Sequence, residues 1–275
     1  MDKLIRMNYL LNLQIKEMST FLFDKIIFGP VQSRRLGSSL GINLLPADKK
    51  ICSFNCVYCE CGLNNKEKSE TGLPPRGTVK VLLQEELVRL KNRGFNLDII
   101  TFAGNGEPTM HPEFAGIIDD TVELRDKYMP GSRIAVLSNA FHLNKDEVKK
   151  ALLKVDDNIL KLDSGREETI LALDRPVGTY SLSKIIDELK WFKGNLIIQT
   201  MFVEGYVDGV DIDNTGQKDI GPWLDILDFV KPAKVMVYTI DRDTPFESVK
   251  KVKFDKLNHI AAKVEKLGIP VQVSG

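Results

Sequence analysis

Cys52, Cys56 and Cys59 stand close together in this sequence, Cys61 follows them, and no other cysteine occurs among the 275 residues. A single tight group of thiols, in a chain with no signal-peptide pattern, indicates a metal site rather than disulfides. A cubane iron–sulfur cluster has four irons. Three closely spaced thiolates therefore leave one iron with an open coordination position, and an open iron can bind substrate.

Two simpler sites for these thiols remain open, a structural zinc site and an electron-transfer cluster. Both normally use four ligands, and Cys61 can supply the fourth thiolate. However, Cys59-Glu60-Cys61 is a tight spacing for two ligands of one metal, and zinc sites usually combine two separated Cys-x-x-Cys pairs. The spacing therefore favours a cluster with three cysteine ligands.

The elements that must position these thiols are predicted from the alternation of short apolar runs with amphipathic segments. Strands are predicted near 38–45, 97–103, 133–137, 157–163, 195–203, 234–240 and 270–273. Helices are predicted from Val79 to Arg93 with Thr78 as N-cap, from His111, from Asn144, from about Ser181 toward Trp191, and near 218–230 and 255–267. A strand–helix unit repeated about six times predicts an α/β fold of parallel strands, closed fully or partly into a barrel.

One core domain is expected over residues 25–275, with residues 1–24 as a leader that is either frayed or added by an upstream start codon. The chain has 38 basic and 38 acidic residues, so no overall charge attracts nucleic acid or an anionic membrane. Nucleic acid is possible as a partner but is not favoured. No apolar run of eighteen residues occurs, so we expect no membrane contact and a cytoplasmic location.

The pattern Cys-x-x-x-Cys-x-aromatic-Cys, with Tyr58 in the aromatic place, resembles the signature of the radical S-adenosylmethionine (SAM) superfamily. The resemblance implies a partial (β/α)6-type TIM barrel and two cofactors, one [4Fe-4S] cluster and SAM. By this resemblance Cys52, Cys56 and Cys59 hold the cluster, and its unique iron binds the amino and carboxylate groups of SAM. A reduced cluster then splits SAM into methionine and a 5'-deoxyadenosyl radical, which takes a hydrogen atom from the substrate.

The same resemblance predicts SAM contacts at the carboxyl ends of the following strands. Glycines in the turn after the second strand let the backbone approach a ligand closely, and Glu107 can accept from the SAM ammonium group. Lys161 and Asp163 share one face of the fourth strand, where they contact SAM or form a buried ion pair with each other. The complete predicted set is Tyr58, Gly104, Asn105, Gly106, Glu107, Ser138, Asn139, Lys161 and Asp163.

The segment from Phe28 to Asn43 resembles the start of the wyosine-synthase-like iron–sulfur oxidoreductases, a radical SAM group in which many activities are unassigned. Wyosine synthases modify guanosine in transfer RNA with a second cluster, for which this chain has only Cys61 to spare. The substrate, small molecule or macromolecule, is therefore left open. Arg34 and Arg35 either meet a phosphate or carboxylate of the substrate or cap the lower face of the barrel.

The predicted partners are this substrate and a reductant such as flavodoxin or ferredoxin. Two other functions remain open: an activase that acts on a partner protein, and a non-enzymatic iron–sulfur or zinc-binding module.

Overall fold

A computed structural model describes residues 21–65 and 67–275. The strands are β1 (Ile27–Ser33), β2 (Gly37–Ile42), β3 (Ile99–Phe102), β4 (Arg133–Ser138), β5 (Asp157–Lys161), β6 (Ile197–Val207), β7 (Val210–Asp211), β8 (Lys234–Thr239), β9 (Val249–Lys251) and β10 (Val271–Ser274). The helices are α1 (Arg76–Asn92), α2 (Phe114–Tyr128), α3 (Asp146–Leu152), α4 (Glu167–Leu173), α5 (Leu182–Trp191), α6 (Gln217–Val230) and α7 (Phe254–Glu265), and a 3-10 turn spans Pro108–Met110.

The strands form a curled sheet in the order β1-β2-β3-β4-β5-β6-β8-β10. From β2 to β10 every neighbouring pair is parallel, whereas β1 returns antiparallel to β2. The far end of β6 continues past the sheet and pairs antiparallel with β7 and β9. This half-barrel of parallel strands and outer helices confirms the predicted α/β fold and the partial TIM barrel.

Side chains alternate between the two faces of each strand, which produces two apolar layers. On the outer face, residues such as Leu40, Phe102 and Ile198 pack beneath the helices in one large core. On the inner face, a smaller layer closes the amino-terminal end of the barrel and consists of Leu36, Ile99, Ala135, Ile159, Ile197 and Met236. Above this floor the interior becomes polar, so functional side chains have room only toward the carboxyl ends of the strands.

Several predicted helix starts were wrong by a few residues. Helix α1 begins at Arg76 after Pro75, so Thr78 lies inside the helix and is not its N-cap. Helix α3 begins at Asp146 and not at the predicted Asn144, with Lys145 at the cap and no side-chain cap hydrogen bond. The short helix α4 was not predicted, because seven residues between two loops give too little period to recognise.

Part of the predicted leader, residues 1–20, lies outside the described residues. The amide of Phe21 donates to the carbonyl of Glu60 at 3.0 Å, and the aromatic ring of Phe23 stacks on that of Phe28 at 3.9 Å between centroids. The division into a leader and a core domain stays a prediction. Within the ranges 21–65 and 67–275, the helices are all too short or too polar to cross a membrane.

Candidate functional site

The cysteine loop is attached on one side to the turn after β3. The amide of Ile51 donates to the carbonyl of Asn105 at 2.9 Å, and the amide of Glu107 donates to the carbonyl of Ile51 at 3.2 Å. Gly106 lies between these bonds with φ of 145°, and a Cβ there would stand 1.7 Å from the Ile51 oxygen. The absence of a side chain at Gly106 thus lets the turn approach the residue that precedes Cys52.

The other side of the loop is attached to the chain that leaves α4. Val57 donates to the carbonyl of Leu173 at 2.9 Å, and Asn55 donates to that of Asp174 at 2.9 Å. The amide of Val177 returns the contact by donating to the carbonyl of Ser53 at 2.7 Å. Two segments that are distant in sequence therefore fix the backbone of the cysteine loop above the carboxyl ends of the strands.

The four thiols differ in their surroundings. Cys56 is buried, and Cys52, Cys59 and Cys61 are partly exposed. Burial raises the pKa of Cys52 to about 12 and that of Cys56 well above its usual value. A hydrogen bond from the Cys61 thiol lowers the pKa of Cys59 to about 5, although burial opposes this change. The sulfur of Cys61 also lies 3.4 Å from the carbonyl oxygen of Gly104, in the turn after β3.

Throughout the part of the chain that the structure describes, no three His, Cys, Asp or Glu side chains converge closely enough to hold one metal ion. The thiolates of Cys52, Cys56 and Cys59 fit a cubane cluster by their chemistry, since each would bind a different iron and leave the fourth iron with an open position.

Lys50 is a buried cation beside these thiols that the sequence analysis missed. Its ammonium group donates to the carbonyl of Gly62 at 2.9 Å. Burial disfavours its charge, but Cys59, Cys56 and Cys52 act in the opposite direction and raise the pKa of Lys50 overall. A fixed positive charge at this position offsets the negative charge that thiolate ligands bring into a buried site. A lone lysine before a loop gives no signal of this role in the sequence.

Glu107 is almost fully buried and accepts four hydrogen bonds through its two carboxylate oxygens. Oε1 accepts from the amide and the hydroxyl of Thr109 and from the hydroxyl of Ser138, and Oε2 accepts from the amide of Asn139 at 2.7 Å. Burial raises the pKa of Glu107, and these hydrogen bonds oppose the rise. Glu107 therefore joins the ends of β3 and β4.

Asn139 continues this connection to the cysteine loop. The side-chain nitrogen Nδ2 of Asn139 donates to the hydroxyl of Ser53 at 2.9 Å and lies 3.6 Å from the sulfur of Cys52. The structure thus brings together the predicted residues Glu107, Ser138 and Asn139 next to the first cysteine. A hydrogen bond to the sulfur of a cluster ligand is one of the means by which proteins tune iron–sulfur centres.

The side chain of Asn105 contacts protein on all sides. Its amide nitrogen donates to the carbonyls of Phe23 and Pro46, both at 2.8 Å, and its oxygen accepts from the amide of Phe23 at 2.8 Å. Gly104 is equally enclosed, because a Cβ there would stand 2.4 Å from the side-chain oxygen of Asn43. These contacts of Asn105 and Gly104 are all with protein atoms and stabilise the turn after β3. Their predicted contacts with SAM stay predictions.

Tyr58, Lys161, Asp163 and Asp174 form a buried polar cluster beneath the cysteine loop. The Tyr58 hydroxyl lies within hydrogen-bond distance of Asp163 and, at 2.9 Å, of Asp174, so its one proton is donated to one of these carboxylates at a time, and it accepts from Lys161. Lys161 pairs with Asp163 at 3.0 Å, as the ion-pair interpretation of these two residues predicts. Asp174 completes the cluster and was missed, because it lies just after the unpredicted helix α4.

The charges in this cluster influence one another. Burial, followed by the charge of Asp163, raises the pKa of Asp174 to about 7. Burial disfavours the charge of Lys161, but Asp163 and Asp174 outweigh it and raise the pKa of Lys161 well above its usual value. Lys161 therefore carries a charge that two carboxylates already balance.

A family model described as the radical SAM superfamily matches residues 49–215, which is more than half of the chain. This chain belongs to the radical SAM superfamily. The matched range contains the cysteine loop, Glu107, Asn139 and the Tyr58–Lys161 cluster. Radical SAM enzymes bind a [4Fe-4S] cluster and SAM, and these are therefore the cofactors of this chain, as the sequence predicts.

Curated relatives cover most of the chain. It is 31% identical over 240 residues to a Brachyspira hyodysenteriae protein named GTPase Obg, a match that covers 86% of this chain and 33% of that protein. It is 30% identical over 229 residues to a Helicobacter pylori UPF0026 protein, which covers 82% of this chain and 69% of the relative. The chain thus spans only a third of the Brachyspira protein, and the UPF0026 name gives no substrate.

Among solved structures, Streptococcus suis SuiB bound to S-adenosylmethionine is similar to this radical SAM chain with a TM-score of 0.60. The sequence identity is 16%, and the match covers 85% of this chain and 50% of SuiB. At this identity the likeness shows the fold alone. It confirms the partial barrel that was described above.

Proposed function

We propose that this radical SAM enzyme holds one [4Fe-4S] cluster through the thiolates of Cys52, Cys56 and Cys59 and binds SAM at the remaining iron. The chemistry that cluster and SAM supply together is reductive cleavage to a 5'-deoxyadenosyl radical, which abstracts hydrogen from a substrate not yet identified. The observation that carries the proposal is the position of the three thiols, on a loop fixed from two sides at the carboxyl ends of the parallel strands.

The chain's own residues have separate tasks in this proposal. Glu107 and Asn139 hold the ends of β3 and β4 against the cysteine loop and present polar groups to the amino-acid part of SAM. Tyr58 and Lys161, held by Asp163, form the polar wall beneath the loop. Cys61 is not a ligand and serves as a hydrogen-bond donor beside Cys59. An electron donor such as flavodoxin or ferredoxin, in the cytoplasm, reduces the enzyme.

The test is anaerobic reconstitution of wild type, Cys56→Ala and the matched control Cys61→Ala. Wild type and Cys61→Ala are expected to bind about four irons per chain, and Cys56→Ala is expected to lose the cluster. After reduction, addition of SAM should change the electron paramagnetic resonance spectrum of wild type, and chromatography should detect 5'-deoxyadenosine. If Cys61→Ala also loses the metal and SAM leaves the spectrum unchanged, the site is a four-ligand structural centre instead.

A further inference from the structure

The tip of the β1–β2 hairpin carries two arginines that the structure places in different surroundings. Arg34 is exposed and pairs with the exposed Asp241 at 3.3 Å. Arg35 is partly buried, and its guanidinium group stacks on the ring of Tyr238 at 4.2 Å from the centroid. It also donates to the side-chain oxygen of Gln199 at 3.1 Å. Its carbonyl accepts from Gln272 on β10 at 3.0 Å, which fixes the backbone of the tip.

Arg35 has no carboxylate within salt-bridge distance in the ranges 21–65 and 67–275. Every other arginine in these ranges except Arg93 forms such a pair, and Arg93 is exposed to solvent. A guanidinium group has five N–H donors, and Gln199 accepts from one nitrogen only. An unbalanced charge that is partly removed from water is unfavourable unless an anion joins it.

The place of Arg35 relates it to the proposed radical site. Gln199 and Met201 share the inner face of β6, and Met201 packs in the same apolar cluster as Tyr238, Cys56 and Tyr58. Two residues along a strand span about 7 Å, so the guanidinium group lies roughly one side-chain layer below the cysteine loop. Lys161, another cation of this interior, is already balanced by carboxylates.

We propose that Arg35 binds an oxyanion of the substrate, a carboxylate or a phosphate, while the rest of the substrate extends toward the cysteine loop. Both groups match the planar fork of a guanidinium group, which can donate two parallel hydrogen bonds to them. This inference rests on the proposed function, because it assigns the substrate class of the same barrel interior. Arg34 is a surface residue and has no part in it.

Isothermal titration calorimetry tests the inference on anaerobically reconstituted, unreduced protein with saturating SAM, with sodium acetate and inorganic phosphate as separate probes. The variants are Arg35→Gln, Arg35→Lys and the matched control Arg34→Gln. We expect wild type and Arg34→Gln to bind one of the probes, and Arg35→Gln to bind it about tenfold more weakly. Whichever probe binds identifies the substrate group as carboxylate or phosphate.

Arg35→Lys keeps the charge but loses the planar fork, so its affinity is expected to be several-fold weaker than that of wild type. If Arg35→Gln does not fold, an unchanged affinity in Arg35→Lys overturns the inference. It is also overturned if wild type binds neither probe or if Arg35→Gln binds as wild type does. The calorimetry contains no reductant, so its result does not depend on SAM cleavage. If a probe binds through Arg35 but the separate assay detects no 5'-deoxyadenosine, only the proposed function is rejected.

Discussion

At the scale of single residues, Glu107 connects several segments of the site through the hydrogen bonds that it accepts. Its carboxylate joins Thr109, Ser138 and Asn139, and Asn139 in turn reaches the sulfur of Cys52. Glu107 is almost fully buried, and it positions the other residues through these hydrogen bonds. Its replacement should therefore change both the stability of the protein and the geometry of the thiols.

We expect Glu107→Gln to lower the free energy of unfolding by about 1–3 kcal/mol, because an amide NH2 group would face a buried donor. SAM binding should weaken as well, since Asn139 loses its anchor. Urea denaturation and SAM titration of the reconstituted protein measure the two effects. Glu85→Gln is the control, as Glu85 is exposed on α1 and should change neither quantity. Equal stabilities for wild type and Glu107→Gln would show that the four hydrogen bonds contribute little.

The sequence indicates residues whose charge is unusual for their surroundings. Lys161 and Asp163 stand on the buried face of a predicted strand, where charged groups need partners, and they form the ion pair that was one of the two predicted alternatives. The predicted contact of these residues with SAM stays a prediction. Lys50 and Asp174 could not be predicted, because a lone lysine before a loop carries no distinguishing pattern and Asp174 acquires its role from a distant segment. Asp174 meets Tyr58 across more than a hundred residues of sequence, and no local pattern indicates such a contact.

At the scale of elements, the turn after β3 determines where the cysteine loop begins. The sequence analysis assigned the freedom of its glycines to the approach of a ligand. The structure shows that at Gly106 this freedom serves the approach of Ile51, the residue before Cys52. A glycine pattern alone gives no information about which partner comes close, so this function could not be derived from the sequence.

Gly106→Ala is expected to reduce the iron content after reconstitution and to lower the free energy of unfolding by about 1–3 kcal/mol, because the new methyl group collides with a carbonyl and strains the backbone. Iron analysis and chemical denaturation measure these effects. Gly77→Ala is a matched control, since Gly77 lies in α1 and a Cβ there meets nothing within 4 Å. Full iron loading of Gly106→Ala would mean that the turn does not position the loop.

Strands β3, β4 and β8 were predictable because each is a short, mainly apolar run, as buried parallel strands usually are. Strand β4, for example, spans 133–138 and was predicted at 133–137. The helix starts were less predictable, because Pro75 and Lys145 precede helices without any side-chain cap. Element type thus follows from apolar period, whereas the exact first residue depends on contacts with neighbouring segments.

At the scale of the whole molecule, the cysteine loop lies outside the large outer core, which contains none of the cysteines. Its residues Phe54, Val57 and Tyr58 pack instead in a separate inner cluster with Met201 and Tyr238. The loop is held by backbone hydrogen bonds to two separate parts of the barrel. The fold should therefore survive the loss of the cluster, although the folded state gains stability whenever the cluster is bound.

Removal of the cluster with an iron chelator under anaerobic conditions should leave the far-ultraviolet circular dichroism almost unchanged and lower the melting temperature. Limited proteolysis should then cut more readily near residues 67–73, most of which are exposed. The reconstituted protein serves as the reference for both measurements. A collapse of the helical signal on chelation would show instead that the barrel depends on its metal.

The contacts of the loop with residues 173–177 also impose an order of events during biosynthesis. The cysteines are made early, but the segment that shapes their loop is made more than a hundred residues later. Chains fold from the N-terminus as they leave the ribosome, and until residue 177 has emerged the three thiols have only half of their scaffold. Cluster insertion should therefore follow the synthesis of most of the barrel, and a nascent chain stalled before α4 should not retain iron.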